Sequence, residues 1–499
     1  MRTVSAQEHL SEPEIHSGLH GVLKDGLATQ AMLTLTGGVF LVDFALLLGA
    51  SNLLIGVLAA IPLLAQLVQI PSIYLVEKFR LRRTICVITS GLARTFLLLV
   101  ALIPFFFAGA AAATALTVGL FFYALFGAVS GCSWNSWMRD LIPQERLGAF
   151  FAKRMGMMAA FGIVLNIAAG FYVEWYQQHF AAQKAYGYAA LFLCGAAAGL
   201  LGVYFISKIP EPRMAPPVKH DSFTHLLRPP FQDKNFRRLI LFQSAWNFAI
   251  NLAAPFFTVY MLKMLALDLR LIITLQVVSQ IMNLIFFHLW GKLVDRFSNK
   301  SVLSVSGPLY IICIFVFTFT TLPDKYVLTM PLLLMIHIFM GIATAGVTLA
   351  VGNIGLKLAP KGQATAYLAA NSLVSSTAAG IAPIIGGNFV DFFADYALSW
   401  TVKWRSPSGV ITFETLDLQH WDFFFILACL LGLYAMHRLA KVKEVGEVEE
   451  EIVILELVAE ARRFMLSLST IAGLRSALLF PFSLLGENLK KREVEASEQ

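Results

Sequence analysis

Charge is what this chain lacks most. Only 14% of its 499 residues are Asp, Glu, Lys or Arg, while 58% are hydrophobic and the mean hydropathy is +0.70. A water-soluble domain of this length could not hide so much apolar surface in one core, which excludes a soluble globular fold. Cysteine is scarce too. Cys86, Cys132, Cys194, Cys313 and Cys429 all fall in or beside apolar segments, with no CxxC pair and no histidine at metal-ligand spacing. That pattern excludes a disulfide framework or zinc site and leaves packing thiols. No Gly-x-x-x-x-Gly-Lys-Ser/Thr loop, nucleophile–base pair or cofactor loop stands out, so the chain reads as a non-enzyme that does not use ATP, a cofactor or a metal. The N-terminus, with Glu8, Glu12, Glu14 and His16 ahead of Lys24, lacks the basic start and short apolar core of a cleavable signal. Insertion then falls to the first spanning segment.

What is present is a series of long apolar runs. A helix crosses the hydrocarbon layer with about 20 mainly apolar residues. Twelve candidates are visible, at 26–48, 52–76, 84–107, 113–137, 154–176, 185–207, 236–262, 270–291, 301–321, 328–356, 364–394 and 421–438. With both termini inside, the inside loops hold twenty Lys/Arg and the outside loops six: Lys184, Lys263, Arg270, Lys325, Lys403 and Arg405. This bias orients both ends to the cytoplasm of a bacterial inner membrane and explains the net charge of +7 without a nucleic-acid partner. The expected partners are the bilayer, a small solute and protons, with the chain acting as a monomer.

The sequence also repeats itself. Ile73-Tyr74-Leu75-Val76-Glu77-Lys78-Phe79-Arg80 returns 218 positions later as Gly291-Lys292-Leu293-Val294-Asp295-Arg296-Phe297-Ser298, and Leu141-Ile142-Pro143 with Ala149-Phe150-Phe151-Ala152 returns 217 positions later as Leu358-Ala359-Pro360 with Ala366-Tyr367-Leu368-Ala369. Two unrelated stretches at nearly one offset describe a duplicated membrane unit whose halves run in the same direction. The expected layout is a cytoplasmic segment 1–25, a first six-helix bundle 26–207, a proline-interrupted linker 208–235, a second bundle 236–438 and a tail 439–499. In the tail, Ile452, Leu455, Val458, Ala459, Arg462 and Arg463 follow helical spacing. The apolar stretch Met465 to Leu485 carries Arg475 near its centre and Pro481 near its end, so an interfacial helix is expected there rather than a thirteenth span.

Twelve spans, parallel halves, a basic central loop and the loop at Gly291 together resemble the major facilitator superfamily, whose signature Gly-x-Leu-x-Asp-Arg-x-Gly-x-Arg/Lys follows helices two and eight. Gly291, Leu293, Asp295, Arg296 and Lys300 keep it, with Ser298 at the second Gly; the first copy keeps only Leu75, with Glu77 and Lys78 for Asp and Arg. The resemblance implies an all-α membrane fold of two six-helix bundles, to which an amphipathic C-terminal helix is added. It also implies alternating access by rocking of the bundles and a cytoplasmic gate. Asp295, Arg296, Lys300 and Glu77 are gate candidates, with Arg146 and Arg154 as the matching bases. A carboxylate at a helix N-terminus gains from the macrodipole, which suits such a gate; a basic topogenic turn is the plainer alternative.

Polar side chains at membrane depth face a cavity or another helix. Gln243, Asn247 and Asn251 recur every four residues beside Trp246, and Gln276, Gln280 and Asn283 form a second stripe. Gln66 and Gln69, Asn166, His337, Thr344 and Thr348, and Asn371 and Ser375 fall on further helices that line the cavity in the family. These residues are the substrate-binding candidates, interhelical amide bonding being the alternative. Asp43 and Arg94 are the two clearly embedded charges and the proton-coupling candidates, or else an ion pair. Glu174, Asp391 and Asp395 sit near helix ends, where solvated roles are expected. Gly162, Gly170, Gly341, Gly346, Gly380, Pro383, Gly386 and Gly387 offer close packing and bending. The functional expectation is a proton-coupled secondary transporter of a sugar, peptide fragment or similar polar solute. The alternatives are an exporter of amphipathic drugs or lipids, or a membrane scaffold that recruits a partner through residues 444–499.

Overall fold

A computed structural model describes residues 11–214, 223–321, 326–360, 364–407 and 409–468. Backbone polar groups in hydrocarbon must be satisfied within their own segment, so the apolar runs form helices. In chain order these are α1 (Glu12–Thr36), α2 (Gly38–Leu47), α3 (Asn52–Ala65), α4 (Gln69–Phe79), α5 (Arg82–Phe106), α6 (Gly109–Leu141), α7 (Gln144–His179), α8 (Lys184–Ser207), α9 (Phe223–Gln232), α10 (Lys234–Lys263), α11 (Leu269–Arg296), α12 (Asn299–Val316), α13 (Thr329–Leu358), α14 (Ala364–Phe392), α15 (Trp421–Ala440) and α16 (Glu450–Leu468). Among the described residues eleven helical stretches are long and apolar enough to span a bilayer, twelve if the bent pair α3/α4 counts as one. Large apolar side chains such as Phe106, Val164 and Leu99 are more than half exposed, as lipid-facing residues are.

Two spans are broken for identifiable reasons. Gly38 takes φ +54, a left-handed conformation open to glycine, and separates α1 from α2. Between α3 and α4 the chain tightens into a 3-10 turn at Gln66–Val68 and bends by 46°. Pro71 has no N–H to offer the carbonyl four residues back, which breaks the helical ladder there.

The described residues fall into two compact units, one drawn from 1–44, 68–219 and 458–499, the other from 45–67 and 220–457. Inside the first, α1 packs on α7 and α8, and α5 packs on α6 and α8; inside the second, α10 packs on α14 and α15, and α12 packs on α13 and α15. The duplicated sequence thus gives a duplicated packing scheme. Residues 45–67, which the sequence groups with the first bundle, join the second unit instead, because α3 is seated on α14. Glycines make that seat. A methyl group on Gly56 would collide with the Pro383 carbonyl, and one on Gly387 with the Asn52 carbonyl. Asp391, expected to be merely solvated, accepts from Asn52 Nδ2 (2.8 Å) and the Leu53 backbone N–H (2.9 Å), capping α3.

The first helix begins earlier than the expected span, since α1 starts at Glu12, inside the segment assigned to a cytoplasmic lead-in. To the helical fold the structure adds an antiparallel hairpin, β1 (Ala397–Ser406) and β2 (Gly409–Gln419), between α14 and α15. Most of the stretch Met465 to Leu485, expected to lie in the interface, is outside the described residues.

Candidate solute site and charged clusters

The second unit joins two of the predicted amides. Gln243 on α10 is 3% exposed; its Nε2 donates to the Val351 carbonyl on α13 (2.9 Å), and its Oε1 accepts from Asn371 Nδ2 on α14. One glutamine therefore ties three helices together. Asn371 Oδ1 and, one turn along α14, Ser375 Oγ are buried with no hydrogen-bond partner among the described residues, as is Ser244 Oγ next to Gln243. Buried polar atoms are normally paired, so this cluster has hydrogen-bonding capacity to spare.

The rest of the two stripes is weaker. Asn247 and Asn251 donate to carbonyls one turn back in α10, both at 2.8 Å. Trp246 lies on another side of α10, buried against Tyr310 and Phe242. On α11, Gln276 reaches Thr258 Oγ1 at only 3.5 Å, Gln280 is exposed and Asn283 half-buried. His337 Nδ1 meets the Leu333 carbonyl (2.8 Å) and its ring abuts Phe317, a satisfied packing histidine. Thr344 bonds back to Met340, and Thr348 is exposed. Gln66 is exposed and Gln69 half-buried, whereas Asn166 is buried on α7.

The embedded charges of the first unit are arranged differently from the expected Asp43–Arg94 pair. Asp43 lies in the middle of α2, where it accepts a short hydrogen bond from Tyr188 Oη, itself joined to Gln177 (3.2 Å). Arg94, buried mid-way along α5, belongs with Asp25 on α1, which the sequence placed in the lead-in. Asp25 is 3% exposed, accepts from Thr29 Oγ1 (3.2 Å) and pairs with Arg154 on α7 (3.6 Å). Arg154 also stacks over Trp134, 4.9 Å from the ring centre. Gly199 and Gly202 of α8 make room for the Arg94 stem and the Asp25 carboxylate. Arginines on two other helices thus accompany one buried carboxylate, as burial of charge requires.

The predicted gate residues are dispersed. Asp295 is exposed on the last turn of α11, without hydrogen bond or ion pair among the described residues; Arg296 pairs with Glu456. Glu77 is half-buried on α4, and the Arg146 side chain lies outside the described residues. The carboxylates at the starts of α5 and α12, directly after the two signature loops, are two others. Glu211 accepts from the Arg82 backbone N–H (2.7 Å) at the start of α5. The wholly buried Arg82 guanidinium pairs with Asp140 and donates to the Pro212 carbonyl (2.7 Å). Glu444 accepts from the backbone N–H groups of Asn299 (3.2 Å) and Lys300 (2.8 Å) at the start of α12, from Asn299 Nδ2 (2.9 Å) and from Lys357 Nζ (3.0 Å). Lys300 Nζ holds Glu447 (2.8 Å) and the Val442 carbonyl (2.7 Å). The signal for these carboxylates was present as Lys208-Ile209-Pro210-Glu211 and Lys441-Val442-Lys443-Glu444, each directly after the last span of its half.

A profile of the Major Facilitator Superfamily matches residues 26–383, more than half of the chain. The chain belongs to that superfamily: it is a multi-pass membrane protein of the transporter class rather than an enzyme. Among solved structures it is similar to a point mutant of the nucleoside transporter NupG (14% identity, 85% of this chain and 100% of that one, TM-score 0.65) and to a D-xylose-proton symporter (14%, 87% and 100%, TM-score 0.62). It is also similar to a POT family transporter in complex with 5-aminolevulinic acid (14%, 88% and 99%, TM-score 0.59). At that identity the likeness establishes the fold. No curated protein sequence matches the chain.

Proposed function

We propose that the chain is a proton-coupled secondary transporter of a small polar solute, with both termini cytoplasmic, working by alternating access. The observation that carries this reading is the buried Gln243–Asn371 pair with Asn371 Oδ1 and Ser375 Oγ left over beside it. A drug- or lipid-sized amphipath would gain little from such groups, whereas hydroxyls or amides of a neutral solute would satisfy them. Two similar folds are named for nucleoside and xylose, both neutral and rich in hydroxyls, which agrees with a sugar-like cargo.

For coupling, Asp25 now stands beside Asp43 as a candidate. A carboxylate between two arginines can exchange its proton as those partners approach or withdraw, and the Asp25–Arg154 pair bridges α1 and α7. The test is uptake into proteoliposomes of a nucleoside, a pentose and a dipeptide, with and without an inward proton gradient. The reading predicts gradient-driven accumulation of at least one of them. It also predicts that Asp25→Asn or Asp43→Asn abolishes accumulation while leaving downhill exchange. Accumulation intact in both variants removes the coupling assignment; no uptake of any solute removes the polar-solute reading.

A further inference from the structure

The hairpin between α14 and α15 has a composition that water alone does not suit. Along β1 the residues alternate without interruption: Leu398, Trp400, Val402 and Trp404 share one face, and Ser399, Thr401, Lys403 and Arg405 the other. In register across the strands, the four apolar positions pair with Leu418, Leu416, Phe413 and Ile411. Trp400 is 68% exposed and Trp404 64%, with Leu398 and Val402 also exposed. A two-stranded hairpin standing free in water is marginal, and one with a row of bare tryptophans still more so. Something covers this face.

The root of the hairpin says what. The His420 backbone N–H donates to the Tyr396 carbonyl (3.2 Å), its ring bonds the Val390 carbonyl (3.0 Å), and Asp422 accepts from the Gln419 N–H (2.9 Å). These bonds fasten both strands to the ends of two spanning helices, so the hairpin is held at the membrane face where α14 ends and α15 begins. Its strands, about 33 Å long at roughly 3.3 Å per residue, are tethered to the bilayer surface at that root. The row at the root continues the same chemistry, with exposed Phe392 and Tyr396 stacked 5.2 Å apart. Tryptophan and tyrosine concentrate at the depth where headgroups meet acyl chains.

We propose that this hairpin lies on the bilayer, its Leu398–Trp400–Val402–Trp404 face seated in the headgroup–acyl boundary and its Lys403/Arg405 face in water. The occupant is lipid. A monotopic strand pair of this kind braces the α14–α15 connection against the membrane and is independent of the solute the protein carries.

The test uses the full-length protein in phosphatidylcholine vesicles and reads the fluorescence lost in Trp400→Phe/Trp404→Phe, a variant that keeps the apolar face. The signal from these two residues should fall at least twofold when the acyl chains carry bromine near the headgroup, and aqueous iodide should leave it nearly unchanged. Lys403→Trp in the double-Phe background should reverse both responses, being quenched by iodide and indifferent to bromine. Three outcomes overturn the proposal: iodide quenching of Trp400 and Trp404 with no effect of bromine; a cross-linked dimer formed by Trp400→Cys and absent from wild type, which assigns the face to a second copy; and indifference to both quenchers without cross-linking, which assigns it to another surface of the same chain.

Discussion

The two halves cap equivalent helices with the same kind of group and balance its charge in opposite ways. By helix position Arg82, the first residue of α5, corresponds to Asn299, the first residue of α12, and position 140 corresponds to 357 under the 217-residue offset of the neighbouring repeat. In the first half the cation is at the helix start, Arg82, and the end of α6 supplies an acid, Asp140; Glu211 completes the cluster. In the second half the helix start is neutral, Asn299, and the end of α13 supplies the cation, Lys357, to Glu444. One geometry, a carboxylate on two backbone N–H groups, is held by two charge patterns. Duplication therefore preserves the site that the helix macrodipole creates, and the side chains around it are free to drift so long as the carboxylate keeps a cation. The halves differ in depth as well. Arg82 is wholly buried, whereas the Lys357 side chain is 45% exposed.

Depth sets the ranking of what should break. Arg82→Ala removes the buried guanidinium from between two carboxylates and should cost about 3–5 kcal/mol, the scale for breaking a buried pair, seen as a large drop in melting temperature in detergent or failure to accumulate in the membrane. An equal loss from Asn299→Ala would erase the distinction between the halves. Glu444→Ala leaves two helical N–H groups and an amide without their acceptor and should cost about 2 kcal/mol; Glu211→Ala should match it if the cap, rather than the ion pair, dominates. Transplanting the pattern sharpens the comparison. Lys357→Asp places a second acid beside Glu444 and should destabilise by about 1 kcal/mol, and adding Asn299→Arg should restore most of it. A double variant no better than the single would show that the two clusters are not interchangeable.

The smallest expected effect is on pH dependence. Burial raises the Glu211 carboxyl above its ordinary value against the backbone N–H groups of Arg83 and Arg82, which lower it. The folded state thus holds that proton more tightly than the unfolded chain does. Its contribution is complete below the usual carboxylate range and is lost as pH rises through the raised value. For Glu447, burial is outweighed by the Lys300 ammonium and the Glu444 N–H, so its carboxyl is lowered, and its contribution is lost as pH falls. Glu211→Gln should flatten the decline in melting temperature on the alkaline side of this window, and Glu447→Gln the decline on the acid side.

Much of this was legible in sequence. The spans follow from apolar run length; Gly380, Pro383 and Gly387 marked α14 as a close-packing helix, but nothing in the sequence named α3 as the helix seated there. The Gln243 and Asn371 amides could be found because polar side chains are sparse in these apolar helices and recur at helical spacing, Gln243 with Asn247 and Asn251, and Asn371 with Ser375. The capping carboxylates were harder to see: they lie 233 positions apart, not 217, because the hairpin lengthens the second half ahead of α15. Asp25 escaped because charged neighbours such as Lys24 lowered the local hydropathy and moved the apparent start of the first span past it. Trp246 was grouped with the amides because residues three apart are neighbours on a helix, and spacing alone gave no warning that its ring packs against Tyr310 of α12. The hairpin had its own signals, an unbroken apolar–polar alternation from Leu398 to Arg405 and a Ser-Pro-Ser-Gly turn, which a search for spanning runs passes over. Gly409 in that turn takes φ +143, which explains the glycine.

The central claim is that buried hydrogen-bonding groups of the second unit receive a polar solute. It is tested most directly by downhill uptake into proteoliposomes, measured for the best-transported solute in wild type, Asn371→Leu and Ser375→Ala at matched protein incorporation. The account predicts at least a tenfold loss of uptake for Asn371→Leu and a several-fold loss for Ser375→Ala, with melting temperatures close to wild type in the latter. Uptake unchanged in both correctly inserted variants would contradict it.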